Sequence, residues 1–188
     1  MQPRQTQRQD PARPLGLRFV VDAINAPKPS SSWSALTEAH GDPLLSELAT
    51  QQEHVHAAVH ALRSIFAIQD PGQAAAKLNQ LLAECSTQPE LAELPDGRWA
   101  LRPSLTDTST AATALTRVGA FVLATWLSER GRCAWGLCEA TGCDRAFIDE
   151  GRRAAQRFCS TTCATRTRVA LHRKSGAVAD AGDTTATE

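Results

Sequence analysis

The sequence contains no tyrosine and few other large side chains of the kind that fill protein cores. Its 188 residues include five Phe, four Trp and one Met, although 42% of the chain is apolar. A core must therefore be built mainly from Ala, Leu and Val, and the length fits one ordinary domain with an appended module. Net charge is also absent, with 20 basic and 20 acidic residues. The overall charge therefore indicates no class of partner.

Long hydrophobic runs are absent too. The longest, from Val118 to Leu127, is well short of the ~20 residues that span a bilayer. The first sixteen residues, MQPRQTQRQDPARPLG, contain no apolar segment of the kind that directs export. We therefore expect a soluble, cytoplasmic protein with no membrane partner, whose six cysteines are reduced.

Common catalytic motifs are missing from the sequence. It has no phosphate-binding loop, no Gly-x-Ser-x-Gly and no His-Glu-x-x-His. The carboxylates Asp149 and Glu150, which could serve a catalytic metal, are expected on an outer loop. We predict that the protein is not an enzyme.

Four cysteines form the strongest pattern. Cys138 and Cys143 are separated by four residues, Cys159 and Cys163 by three, and fifteen residues lie between the pairs. Two short-range pairs joined by such a loop are typical of a tetrahedral zinc site with four thiolate ligands. Two disulfides or scattered buried thiols are the alternatives, and Cys133, five residues before Cys138, offers another first pair. We predict one structural Zn²⁺ per chain, bound by Cys138, Cys143, Cys159 and Cys163.

Basic residues are concentrated around the second cysteine pair. Between Arg145 and Lys174 the chain has eight basic residues and two acidic ones, a local net charge of +6. Basic charge clustered around a metal site is typical of a polyanion-binding surface, although four thiolates on Zn²⁺ return about two negative charges. The candidate nucleic-acid contacts are Arg152, Arg153, Arg157, Arg166, Arg168, Arg173 and Lys174.

The region before the cysteines is mostly helical by its apolar spacing. We expect a disordered arm over residues 1–14, and either a short strand or a buried helix within 15–26. A long helix is predicted from Asp42 to Gln69, capped by Asp42 and Pro43 and stopped by Pro71-Gly72. Its apolar positions are Leu44, Leu48, Val55, Val59, Leu62 and Phe66.

Three further elements follow this helix. A second helix is predicted over residues 73–84, with Cys85 after it as a small buried side chain. A hairpin is predicted over residues 91–102 around the turn residues Asp96 and Gly97. The third helix runs from about residue 109 to 130 and ends at Gly131. Its inward positions are Leu115, Val118, Val122 and Trp126.

Three histidines, His54, His56 and His60, lie on the long helix. His56 and His60 are four residues apart and share a helical face, which suits half of a metal or haem site. No cysteine or carboxylate lies beside them in sequence, so we favour an exposed polar face.

Within the cysteine-rich module, Phe147 is expected on a short strand, packed below the metal. Ser160 is a good N-cap for a last helix from Thr161 to about Lys174. Residues 175–188 are expected to be a disordered tail. The predicted fold class is mainly α with a small β-hairpin (α+β), in which a helical N-terminal domain precedes a small treble-clef-like zinc module with four cysteine ligands.

These motifs resemble those of a known family. Cys-x4-Cys, Phe147-Ile-Asp149, an arginine-rich stretch, Arg-Phe-Cys-Ser and a final Cys-x-x-Arg are similar to the CGNR-type zinc finger. That finger is found C-terminal to a so-called ABATE domain in bacterial stress-induced transcription regulators. The segment Val20-Val-Asp22-Ala-Ile-Asn25 resembles the Asp…Asn signature of such domains. One departure is that the tetrapeptide Cys-Gly-Asn-Arg here reads Cys163-Ala-Thr-Arg166.

The resemblance implies an ABATE-like domain over residues 15–131 and a CGNR-like zinc finger over 132–174. It further implies a DNA-binding transcriptional regulator whose N-terminal domain senses a small-molecule effector or mediates homodimerisation. Arg152, Arg153 and Arg157 would contact phosphates of double-stranded DNA, and Arg166 would reach a base edge. The alternative is an adaptor that binds an acidic protein through the same basic cluster.

Overall fold

The computed structural model describes residues 16–26, 55–93, 97, 99–105, 110–151 and 155–181. Its contacts divide the chain into two compact units, with the boundary between Cys133 and Ala134. The described residues form five helices and two antiparallel two-stranded sheets. The predicted mixed α+β class is therefore confirmed, with a second hairpin in addition to the one expected.

The first unit is organised around its longest helix. In chain order it contains α1 (Leu17–Asn25), α2 (Val55–Phe66), α3 (Pro71–Glu84), β1 (Pro89–Glu93), β2 (Trp99–Pro103) and α4 (Ala111–Arg130). Helix α4 packs against α1, α2, α3 and β2. The first helix resolves the choice left open for residues 15–26, since Phe19 and Val20 are buried on a helix rather than on a strand.

Helix α4 has clear signals at both ends. The Thr110 hydroxyl accepts a hydrogen bond from the Thr113 backbone N–H at 3.1 Å, and Gly131 ends the helix at a φ of 64°. The left-handed conformation at Gly131 is one that glycine adopts without a Cβ penalty. The four predicted inward side chains, Leu115, Val118, Val122 and Trp126, are all buried.

The junction between α2 and α3 differs from the prediction. Helix α2 ends at Phe66, and Pro71 begins α3 instead of stopping the preceding helix. Asp70 caps α3 by accepting a hydrogen bond from the Gln73 backbone N–H at 2.8 Å. Proline suits a first helical turn because its missing N–H would have no partner there.

The β1–β2 hairpin is confirmed, but its large apolar side chains face outward. Leu91 and Leu101 are paired across the strands, and with Trp99 they are 55–67% exposed. On the opposite face Arg102 pairs with Glu90 at 3.0 Å. A period-2 pattern identifies the two faces of a strand but not which of them is covered.

An unpredicted buried charge connects α4 to its neighbours. Arg117 is 4% exposed and donates hydrogen bonds to the Cys85 carbonyl at 2.6 Å and the Ser104 carbonyl at 2.9 Å. These carbonyls lie at the end of α3 and just after β2. The Arg117 guanidinium therefore fixes both segments against the central helix, and Cys85 itself is half-buried.

Helix α4 is also long and apolar enough to cross a membrane by length and composition. More than half of the most apolar stretch of this helix is buried inside the protein. It contains the buried Arg117 and packs against three helices and a strand, as the core helix of a globular unit does.

Several predictions fall outside the described residues. They are the arm over 1–14, the start of the long helix with Asp42, Pro43, Leu44 and Leu48, the turn residue Asp96, and the tail over 182–188. Within the described part of that long helix, Val55, Leu62 and Phe66 are buried and Val59 is half-buried.

Candidate metal centre

A second hairpin supplies the first cysteine pair. Strands β3 (Trp135–Leu137) and β4 (Ala146–Ile148) are antiparallel, with Leu137 opposite Ala146. The Cys138 N–H donates to the Arg145 carbonyl at 2.9 Å, and the Cys143 N–H donates to the Ala140 carbonyl at 2.9 Å. The turn between these cysteines reverses the chain, so that both face the same side.

The second pair lies at the start of the last helix, with Cys159 just before it and Cys163 within it. Helix α5 (Thr161–Ala181) begins just after Ser160, whose hydroxyl accepts a hydrogen bond from the Cys163 backbone N–H at 3.2 Å. This is the capping contact expected of Ser160, and it places Cys163 in the first turn. The helix continues to Ala181, so residues 175–181 are helical where a disordered tail was predicted.

The four sulfur atoms converge. The Sγ atoms of Cys138, Cys143, Cys159 and Cys163 all lie within 4.8 Å of one another. Two of the separations, Cys143 to Cys159 and Cys159 to Cys163, are 3.7 Å. Sulfurs about 2.3 Å from a central zinc stand about 3.8 Å apart in a regular tetrahedron, whereas a disulfide requires about 2.05 Å.

The donor set and its geometry thus fit one structural zinc ion. Cys133, the alternative ligand, is buried and is not a member of this sulfur cluster. All four tetrahedral positions would be filled by protein sulfur, which leaves no position for a water molecule or substrate. A bound zinc ion would cross-link the turn of the β3–β4 hairpin to the start of α5.

Two thiols of this cluster, those of Cys138 and Cys159, have pKa values shifted in opposite directions. Burial raises the pKa of Cys138, but hydrogen bonds from the backbone N–H groups of Cys159 and Ala140 outweigh it and lower that pKa to about 7. Burial, together with hydrogen bonding to the neighbouring sulfurs, raises the pKa of Cys159 to about 12. Four such close sulfurs do not all become thiolates unless a cation replaces their protons.

The aromatic side chain beside the sulfurs is Phe158, which packs against Cys138, Ala140 and Cys163. Phe147 was expected below the metal, but its ring lies over Gly136 on the opposite strand. A Cβ added to Gly136 would come within 2.9 Å of that ring. Residue order alone does not distinguish these two phenylalanines, because each lies close to a cysteine in the chain.

Residues 135–175 match the family model of the CGNR zinc finger. The matched segment contains all four converging cysteines, so this part of the chain is a zinc-binding module. No curated protein matches the chain. The family match ends one residue beyond Lys174 and does not include the helical first unit.

The predicted nucleic-acid contacts have different surroundings within the zinc-binding module. Arg157 is paired with Glu139 through two hydrogen bonds, of which the Nε to Oε2 distance is 2.7 Å. Arg166 donates to the Thr141 carbonyl at 3.1 Å. Arg168 and Arg173 are exposed on α5. Arg152, Arg153 and the side chain of Lys174 lie outside the described residues.

Asp149 is a functional candidate that the sequence reasoning placed wrongly. It was expected on an outer loop, yet it is 2% exposed. Its carboxylate accepts hydrogen bonds from the backbone N–H of Gly151 at 2.9 Å and of Gln156 at 3.2 Å. It therefore joins the two ends of the segment that contains Arg152 and Arg153. An Asp two residues before Gly is a local turn signal that could have indicated this contact.

Two of the three histidines can be located in the described part of the chain. His56 and His60 are exposed on α2, and neither belongs to the group of possible metal ligands found there. His54 lies outside the described residues. The exposed polar face favoured for His56 and His60 agrees with these positions.

Proposed function

We propose that the protein is a DNA-binding transcriptional regulator whose zinc finger presents α5 to double-stranded DNA. The observation that carries this proposal is the exposure of the helix beyond its metal-bound first turn. Every side chain from Thr165 to Arg173 is exposed except the half-buried Thr167. A helix anchored at one end and exposed over residues 165–173 has the shape that enters a major groove about 12 Å wide.

The charge on α5 supports the same proposal. Arg168 and Arg173 are exposed, and the structure shows neither of them in an ion pair or side-chain hydrogen bond within the described residues. Their charges are therefore available to phosphate oxygens, to which arginine donates several hydrogen bonds. Arg157, by contrast, is neutralised by Glu139 and would have to exchange that partner for phosphate.

The arginine-rich segment before Cys159 would add phosphate contacts. The buried Asp149 carboxylate accepts hydrogen bonds from the backbone N–H groups of both Gly151 and Gln156. These two bonds limit the distance between Gly151 and Gln156. Arg152 and Arg153 lie between those two anchored positions in the sequence. Fixing the positions on either side of an arginine pair lowers the entropic cost of bringing its charges to a ligand, compared with a free arm.

For the first unit we propose a regulatory role, as an ABATE-like domain in a bacterial regulator. It would bind a small-molecule effector or mediate homodimerisation. We also propose that the protein is not an enzyme, because a zinc ion held by four sulfurs has no open position for catalysis.

The test measures the affinity of the protein for a random-sequence DNA duplex. Fluorescence anisotropy gives this affinity at each concentration of a salt series. Replacing Arg168 and Arg173 together with alanine should weaken binding and reduce the log–log salt slope by about 0.9 for each lost phosphate contact. The matched control is Arg18→Ala with Lys77→Ala, which removes the same charge from the first unit. Equal slopes in the two double variants, or no salt-graded binding by the unmodified chain, would refute the proposal.

A protein-binding adaptor is the second candidate, favoured by two apolar side chains on the same helix. Val169 is 44% exposed and Leu171 is 62% exposed. Apolar residues among arginines suit a groove on an acidic partner chain. An adaptor would show no salt-graded affinity for random duplex DNA, so the same experiment separates the two candidates.

A further inference from the structure

We propose that Arg166 belongs to the zinc site, as a hydrogen-bond partner of its thiolates, rather than to the DNA-reading surface. Its Nη2 atom lies 3.1 Å from the Thr141 carbonyl oxygen and 3.9 Å from the Cys163 sulfur. One guanidinium group thus contacts both halves of the metal site. This inference depends on zinc binding and is independent of whether the protein binds DNA.

The position of Arg166 on α5 explains this contact. It follows Cys163 by three residues, so the two side chains lie on the same helical face. Long side chains on a helix point back toward its N-terminus. The N-terminus of α5 is the end at which Cys163 faces the other sulfurs, so Arg166 reaches back toward the metal rather than outward to a ligand.

The Thr141 contact gives the guanidinium a second role. Thr141 lies in the turn between Cys138 and Cys143, which supplies the first two ligands. By binding that turn and the Cys163 sulfur together, Arg166 fixes the start of α5 against the β3–β4 hairpin. Both contacts come from Nη2, whose two N–H groups have fixed directions in the guanidinium plane, whereas a lysine side chain ends in a rotating ammonium.

The charge of the metal site favours such a partner. Zn²⁺ with four thiolates carries a net charge of about −2, and arginine stays protonated in proteins. The Cys138 sulfur already accepts a hydrogen bond from the Cys159 backbone N–H at 3.4 Å. Arg166 supplies the corresponding donor, with a full positive charge, to Cys163 on the other side of the cluster.

Loss of such a partner lowers metal affinity by about 10- to 100-fold in known sites. We therefore expect Arg166→Met, which keeps an unbranched apolar stem and removes the charge, to weaken zinc binding by that factor. Arg168→Met is the matched control, because Arg168 is on the same helix and has no such contact in the described residues. Arg166→Lys should fall between the two, since it keeps the charge and loses the forked geometry.

The experiment is a competition between the full-length chain and a chromogenic zinc chelator, with helical content followed by circular dichroism. Cobalt substitution adds a second readout. The thiolate-to-cobalt charge-transfer bands should shift in Arg166→Met and stay unchanged in Arg168→Met, because only the first variant loses an N–H donor to sulfur. A general loss of stability would not move these bands.

Zinc affinity of Arg166→Met within twofold of Arg168→Met would overturn the assignment. Should Arg166→Met not refold at saturating zinc, Arg166→Lys decides the matter, and an affinity within twofold of the unmodified chain would overturn it equally. Neither result affects the DNA-binding proposal, which is tested through Arg168 and Arg173.

Discussion

The two units of this chain are held together by different physical means. The first buries many large apolar side chains, among them Trp126, Phe19 and Phe66, at less than 2% exposure. In the described part of the second, the large apolar side chains that are buried are Trp135 and Phe147 of the hairpin, and a further buried group is the sulfur cluster. Hydrophobic burial stabilises the one, whereas the other depends on metal–sulfur bonds.

This difference explains how a short module supports a helix that is exposed over residues 165–173. About 50 residues are too few to bury an adequate core by themselves, and small domains of this kind commonly require metal or disulfides. Zinc binding contributes about 10–16 kcal/mol to the folding of comparable modules. The side chains of α5 beyond its first turns need not be buried, so they are available to a partner.

The largest effect is expected from removing a metal ligand. Cys163→Ser should abolish stoichiometric zinc binding and unfold the second unit, because the three remaining sulfurs cannot complete the tetrahedron. Cys133→Ser, five residues before the first ligand, should retain one zinc per chain. Zinc content after dialysis, measured by atomic emission, distinguishes them. Retained zinc in Cys163→Ser, or lost zinc in Cys133→Ser, would mean that the ligand set is wrong.

A smaller and purely steric effect is expected in the first unit. A Cβ added at Gly119 of α4 would lie 2.5 Å from both Cδ atoms of Leu62, which is fully buried on α2. Gly119→Ala should therefore cost about 1–3 kcal/mol by overpacking, less the roughly 1 kcal/mol that alanine gains in helix propensity. Urea unfolding measures the change, and zinc stoichiometry should not alter.

The steric cause can be checked with a double-mutant cycle. Leu62→Ala removes the side chain that the new methyl group would strike, so Gly119→Ala should cost less in that background. Equal costs in both backgrounds would contradict the assignment of the clash to Leu62.

The smallest effects should come from two helix caps, one in each unit. Thr110 caps α4 and Ser160 caps α5, each through a side-chain oxygen that accepts a backbone N–H three residues later. Alanine at either position should cost about 1 kcal/mol. Thr110→Ala should lower only the stability of the first unit. Ser160→Ala should weaken zinc binding as well, because its hydrogen bond comes from the Cys163 N–H.

Much of this architecture could be predicted from local signals. The cysteine spacing identified the sulfurs that converge, because a tetrahedral site imposes short gaps within each pair. Thr110 and Gly131 mark the ends of α4, and Ser160 marks the start of α5, through residue-specific backbone chemistry. These features depend on neighbours within a few residues, so they can be recognised in a single sequence.

The features that were missed depend on contacts between distant segments. The outward face of Trp99 and Leu101 is decided by what covers the hairpin. The burial of Asp149 depends on the return of the chain at Gln156. Arg166 was assigned to a base contact because its charge is visible in the sequence, whereas its proximity to Thr141 requires the fold. The DNA contacts, the effector and the homodimer stay predictions.

The most direct test of the difference between the units is hydrogen exchange of the full chain before and after zinc removal by a chelator. On removal, amides in β3, β4 and the first turns of α5 should lose protection, while those in α2, α3 and α4 should keep theirs. Protection that persists in β3, β4 and α5 without zinc would contradict the claim that metal–sulfur bonds hold the second unit together.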